Sequence, residues 1–210
     1  MVQYTYKKSF VTVEHNWFVE DFETALTQNK SDVLMCHAVA DKDLHFFDKY
    51  SKQATLITDL TCDLDLIFQK FNKNYRYEIR RAEKESVVYK VYWGEEILGE
   101  PSVFEKFIAV YNQMYKSKGM DTIFNRTQVL SCIKANCIVF TVAFFNEEPL
   151  VFHSYIYDKK HTRFYYSASP FRDQKDDSAL IARMNKGLHW HDIQLFKSNG
   201  IVQYDWGGYR

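Results

Sequence analysis

Histidine, tyrosine and aspartate recur at two-residue spacing in the last third of the chain. In the stretch VFHSYIY, His153, Tyr155 and Tyr157 alternate with Phe152, Ser154 and Ile156. A strand with that pattern puts the first three side chains on one face and the others on the opposite face. By the same parity the next candidate strand offers Arg163, Tyr165 and Ser167, and the segment IVQYDW offers Gln203 and Asp205. Such a face suits a substrate-lined cleft. Acid–base chemistry there needs a base to take a proton and a donor for a developing negative charge. Histidine titrates near neutrality, so His153 suits the base; Tyr155 or Tyr165 suits the donor, and Asp205 can position the substrate or orient His153. The same residues also describe a solvated sheet face or an aromatic ladder, with His153 a hydrogen-bonded core histidine and Asp205 a turn cap before Gly207-Gly208.

Other spacings carry less chemistry. Lys73, Arg76, Arg80 and Lys84 fall three, four and four apart, which aligns them along one helix face. That stripe suits a phosphate, as on a nucleotide-linked or lipid-linked acceptor or a tRNA; interleaved with Glu78 and Glu83 it also reads as a solvated face. His189 and His191, two apart on a helix, diverge, and Cys36, Cys62, Cys132 and Cys137 form no ligand spacing, so no metal is expected. No nucleophile elbow, Walker loop or zinc pattern occurs. The formal net charge is zero, which excludes the global basic field that draws a protein to DNA.

These residues need elements to hold them. A 17% aromatic share favours strands, and the lack of any Gly/Ser-rich linker makes residues 1–210 one domain. Residues 1–60 read as strands at 2–13, 33–39 and 54–59 with helices at 17–28 and 42–50. From 61 to 210 the pattern is clearer. An apolar stripe from Leu64 through Ile67, Phe71, Tyr75 and Ile79 to Ala82 predicts one helix. A strand at 86–92 and helices at 102–118 and 125–135 follow. Strands at 137–145, 150–157 and 162–168, joined by NEEP and DKKH, predict an antiparallel meander. A helix at 177–198 with Ile181, Met184, Leu188 and Leu195 on its buried face leads into the last strand. The longest apolar run, CIVFTVAFF, is far short of the ~20 residues that span a bilayer, and no signal-peptide core precedes it. A cytoplasmic protein with reduced thiols is expected.

Two segments resemble the Fem-type branch (FemABX) of the GNAT acyltransferases. RYEIRRAEKE at 76–85 is similar to that family's signature helix, and HWHDIQLFKSNGIVQYDWGG at 189–208 to its long helix and final strand. The resemblance covers about residues 55–208. It implies an α+β fold: a GNAT-like mixed sheet of about 6–8 strands flanked by helices, lacking the usual C-terminal helix and hairpin. It also implies direct transfer of an acyl or aminoacyl group onto an amine in cell-envelope or polysaccharide assembly. His153, Tyr155 and Asp205 would be catalytic; Arg76, Arg80, Tyr165, Ser167, Arg172, Asn185 and Trp206 would bind substrate. The donor stays open between an acyl-CoA and an aminoacyl-tRNA, because the loop at the GNAT diphosphate position, SPFRDQKDDSA, has no glycine and sets Asp173, Asp176 and Asp177 against Arg172 and Lys175. The rival reading is a non-catalytic GNAT-like binding or assembly subunit. An unpaired final strand would be an apolar edge, so either the strand at 2–13 or a second subunit, in a homodimer, is expected beside it.

Overall fold

A computed structural model describes residues 1–172 and 177–208. Its N-terminal segment is not the single strand that 2–13 suggests. Ser9 takes a left-handed backbone, φ 57°, and turns the chain. As a result β1 (Val2–Lys8) and β2 (Val11–Trp17) form an antiparallel hairpin, and β3 (Val33–His37) joins β2 in parallel. The helix expected at 17–28 is shorter, α1 (Phe22–Gln28), with the Asp21 carboxylate accepting from Thr24 N at its start. The helix expected at 42–50 is a 3-10 turn over Asp41–Phe46.

A second sheet holds β4 (Ile57–Asp59), β5 (Val88–Trp93), β6 (Ile138–Phe145), β7 (Glu148–Tyr157), β8 (His161–Ala168) and β9 (Gln203–Asp205), in the order β4-β9-β8-β7-β6-β5. Strands β6 to β8 form the expected meander. Asn146 and Glu147, both at positive φ, make the two-residue loop whose twist matches that of the flanking strands. β6 is apolar but for Thr141 because both its faces are covered. β9 returns parallel to β8 by way of α6 (Ser178–Ser198). Its outer edge is taken by β4, with Ile57 opposite Asp205, and not by the N-terminal strand. That strand is engaged elsewhere: Val2, Tyr4 and Trp17 pack into the core with Phe124 and Val129.

The stripe from Leu64 to Ala82 is two helices, α2 (Leu64–Lys70) and α3 (Lys73–Ala82). Between them Phe71 and Asn72 are extended, and the Asn72 side chain accepts from Tyr75 N at 2.8 Å. An asparagine that satisfies a free helix-start N–H overrides the continuous stripe. α4 (Pro101–Ser117) and α5 (Arg126–Lys134) cover one face of the larger sheet, where Phe107 stacks on Phe152 at 5.5 Å. α3 and α6 cover the other, burying Ile79, Ile193 and Phe196 against Val139, Tyr155 and Tyr204. Among the described residues no helix is long and apolar enough to cross a membrane.

The two helices on that second face meet closely at Gly187. A Cβ there would collide with Tyr89 Oη and lie 3.2 Å from Ala82 Cβ. Gly187→Ala should therefore destabilise the fold: overpacking costs about 1–3 kcal/mol, against a gain of about 1 kcal/mol in helix propensity. Urea unfolding checks this. In a Tyr89→Phe background the loss should shrink, because the blocking hydroxyl is gone and it has no hydrogen-bond partner among the described residues.

Candidate functional site

The face of β7 that carries His153 and Tyr155 is sealed by α6, so both side chains are fully buried. Asp192 and His189, three apart and therefore on one side of α6, come down onto them. His153 Nδ1 lies 2.9 Å from Asp192 Oδ2, and its Nε2 lies 3.0 Å from Asn185 Oδ1. Tyr155 Oη donates to the same Asp192 oxygen at 2.5 Å. Tyr204 of β9 reaches Tyr155 at 2.8 Å, and His189 Nδ1 reaches Tyr204 at 2.9 Å.

The donor directions follow from one fact: an ionised carboxylate only accepts. Tyr155 spends its proton on Asp192, so it accepts from Tyr204. Tyr204 then accepts from His189, which carries its proton on Nδ1. Donation thus runs from His189 through two tyrosines to Asp192, and from His153 to Asp192 on the other side. The energetics agree. Burial pushes the Asp192 carboxyl up, but hydrogen bonds from His153, His191 and Tyr155, with the His153 charge, outweigh it and hold the pKa at about 2. Burial, reinforced by the His153 charge, keeps His189 neutral, with its pKa well below the usual histidine range.

Asp205 does not join this network. Paired residues across a sheet share a face: Tyr204 and Thr162 stand with Tyr157 on the α6 side, while Asp205 and Arg163 stand with Ile156 on the other. There the Asp205 carboxylate pairs with Arg163 and accepts from Thr55 Oγ1 and Gly207 N. Nor do Arg163, Tyr165 and Ser167 share a face. A bulge in β8 pairs Ser154 with Tyr166 and Tyr155 with Phe164, leaving Tyr165 extra. Ser167 stands opposite His153, whereas Tyr165 packs edge-on against Trp17. The expected convergence of His153, Tyr155 and Asp205 on one open cleft is therefore replaced by a buried chain on one face and an ion pair on the other.

An open cavity of about 340 Å³ does reach this chain, at the end of β8 and the first half of α6. Lys118, Arg172, Lys186 and Asn185 line it together with Met114 and Phe171. Of these, Asn185 is the one that bonds His153. Lys186 is paired with Glu78 of α3. Of the loop residues weighed for donor binding, Asp173, Lys175 and Asp176 lie outside the described residues, and Asp177 occupies the N-cap of α6. Arg76 and Arg80 stand on α3 away from this lining, Arg80 with its guanidinium 5.2 Å from the Phe68 ring centre; Lys84 lies beyond the end of α3. Trp206 caps the far end of the chain, 4.9 Å from the His189 ring, with its indole N–H on Thr58.

A larger cavity, about 800 Å³, opens on the opposite side of β8 and β9. Trp17, His37, Arg163 and Asp205 line it. His37 stacks on Trp17 at 4.0 Å and hydrogen-bonds His15 at 2.8 Å. For metal binding, His153, His189 and Asp192 offer ligand atoms all within 4.8 Å of one another. Helix spacing alone could not show that set, because its members come from two elements. An ion there would have to displace the His153–Asp192 hydrogen bond, and every other bond of the chain is arranged around that one.

Three histidines stay neutral in the fold: His15 with a pKa lowered to about 4 by burial, His37 lowered to about 3 by burial first and by its neighbours His15 and Arg163, and His189 well below the ordinary range. Once unfolded each takes a proton near pH 6.5, so below that pH the unfolded chain binds more protons and stability falls. The loss continues as pH drops toward the folded values, and Asp192 adds to it below about pH 4. Urea midpoints should decline from pH 7 to pH 5, and His189→Gln should flatten that decline. A midpoint independent of pH over this range would show that these rings are solvated.

Comparison with known proteins places this geometry in a fold. No protein-family model matches the sequence, and no curated protein does. Solved structures do match. The C-terminal DUF2156 domain of a candidate lysylphosphatidylglycerol synthetase from Agrobacterium fabrum superposes with a TM-score of 0.62 at 9% identity, over 98% of this chain and 67% of that one. FemX superposes at 0.57 with 12% identity, over 75% and 54% respectively, so the matched region spans about half of FemX. L-PGS from Bacillus licheniformis gives 0.55 at 16% identity, over 98% and 67%. The chain therefore shares the α+β fold of FemX and of the two synthetase structures.

Proposed function

We propose that this chain is a GNAT-type N-acyltransferase that moves an acyl or aminoacyl group from a phosphate-bearing donor directly onto an amine. The observation that carries the reading is the cavity at the end of β8. It places Lys118, Arg172 and Lys186 around an amide, Asn185, that is anchored to the buried His153–Asp192 pair. Cations at an open rim suit a phosphate, and a fixed polar group at the floor suits a carbonyl. Acyl-CoA and aminoacyl-tRNA both carry phosphates as well as an activated acyl group, on acyl-CoA at the opposite end of the pantetheine arm. The acceptor is a small-molecule or a nucleotide-linked or lipid-linked amine, and the setting is cytoplasmic assembly of envelope or surface polysaccharide, as the likeness to FemX and the synthetase domains suggests. tRNA enters as a partner only through the donor.

A second reading, a non-catalytic binding or assembly subunit, is favoured by the complete burial of His153 and Tyr155. A base that cannot touch the amine cannot take its proton directly.

Thermal shift with acetyl-CoA, longer acyl-CoAs and an aminoacyl-tRNA, followed by transfer assays with amine acceptors, separates the two. The productive donor should raise the melting temperature, since saturation at 100 times Kd stabilises by about 2.7 kcal/mol. Arg172→Ala and Lys118→Ala should each weaken donor binding several-fold at low salt and less at high salt, because exposed charges are screened beyond ~8–10 Å. Binding without turnover supports the subunit reading; no binding by any donor removes the transferase reading.

A further inference from the structure

The buried chain constrains the charge of His153, and through it the direction of the Asn185 amide. His153 Nδ1 faces a carboxylate oxygen at 2.9 Å, and its Nε2 faces the Asn185 carbonyl oxygen at 3.0 Å. Both partners only accept, so both ring nitrogens must donate, and an imidazole with two N–H groups is an imidazolium. With its oxygen spent on that bond, the Asn185 NH₂ group, two donors, is what remains for the cavity that Asn185 lines.

We infer that Asn185 is the oxyanion-binding group of this site, held with its N–H pair toward the acyl carbonyl by a His153 imidazolium that Asp192 keeps charged. This rests on the transferase reading. The amine nitrogen attacks the acyl carbon, and the carbonyl π pair moves to oxygen, where an Asn185 N–H meets it. Collapse reforms the C=O bond and expels the donor's sulfur or oxygen, which takes up the proton the amine loses. His153 gives up no proton in this sequence. It is a positioning residue, and so are Asp192 and Tyr155.

The surroundings allow this charge. α6 contributes Asp192, neutral His189 with its ring centre 4.2 Å away, and Asn185; His191 approaches the second Asp192 oxygen at 3.5 Å. Tyr155 of β7 lies 3.3 Å from His153 Nδ1, and Tyr204 of β9 acts through it. Thr141 of β6 and Ser167 of β8 stand opposite in register, and Phe164 packs edge-on. Asp192 is the one anion in this set, so the buried pair is neutral overall. The competing arrangement turns the amide over: Asn185 then donates to a neutral His153 and shows the cavity only an acceptor, which repels an oxyanion.

The two arrangements differ in a signal that needs no substrate. In protein carrying ¹⁵N-labelled histidine, long-range ¹H–¹⁵N correlation at pH 7, with His153→Gln used for assignment, should show two protonated-type nitrogens for His153. One pyridine-type nitrogen at that pH would overturn the inference, whether or not any donor is ever turned over. Asp192→Asn should convert one His153 nitrogen to the pyridine type; if it fails to fold, the wild-type spectrum still decides. Where a donor is turned over, the loss in His153→Gln should fall on kcat, with KM little changed. Asn185→Ala should lower kcat about 10²–10³-fold, and Asn185→Asp, which keeps the volume but not the donors, should do no better.

Discussion

A carboxylate with no exposed surface sits between the long helix and the sheet, and most of what surrounds it follows from the need to satisfy it. Asp192 accepts from His153 and Tyr155 on one oxygen, while His191 approaches the other. An isolated buried charge is prohibitive, whereas a paired and hydrogen-bonded one is tolerable, and removing a partner from such a pair costs about 3–5 kcal/mol. The tyrosine–tyrosine–histidine chain extends the arrangement, because each hydroxyl that gives its proton away must accept another. The same requirement ties β7, β9 and α6 into one register. A slip of one residue in β9 would replace Tyr204 with a neighbour facing the other way.

The opposite face of the same strands has a separate lock. Arg163 pairs with Asp205, donates to Gly207 O and lies 5.7 Å from the Trp17 ring centre, joining the end of β9 to β8 and to the N-terminal sheet. Gly207 is needed there. Its φ of +87° suits glycine, and a Cβ would press against the Phe164 backbone, 2.5 Å from its carbonyl oxygen. The Y-D-W-G-G ending therefore splits its work. Tyr204 belongs to the buried chain, Asp205 to the ion pair below the larger cavity, Trp206 to the aromatic cap beside His189, and Gly207 to the turn that lets them diverge.

The fold explains why the polar groups are buried without being inert. Strand β7 is central and covered on both faces, so its buried polar residues must find partners within the protein, and His153 finds its own on the covering helix. α6 supplies them, and near its start Asn185 carries the network to an open cavity. Chemistry in such an arrangement is governed by orientation and fixed charge, which a low-dielectric surround strengthens, more than by a side chain free to enter the cleft.

Much of the architecture is legible in local residue patterns. The meander, its two-residue turn at Asn146-Glu147, the apolar β6, the long α6 and the parallel return of β9 all follow from periodicity and turn chemistry, which act over a few residues. Asn72 and Ser9 show the limit of that reading: each interrupts an apolar pattern by a backbone preference that the pattern does not display. His153, Tyr155 and Asn185 were also visible as polar residues at suggestive positions, and the resemblance carried by 76–85 and 189–208 pointed to the fold that the solved structures share. Asp192 was not visible, since its role exists only because α6 lies across β7. The bulge at Tyr165 and the opposite facing of Tyr204 and Asp205 came from pairing between strands distant in sequence. Which face a helix covers, and which partner a buried charge finds there, is set by long-range packing, so only the tertiary structure could decide that the polar face of β7 is an interior network and not an open cleft.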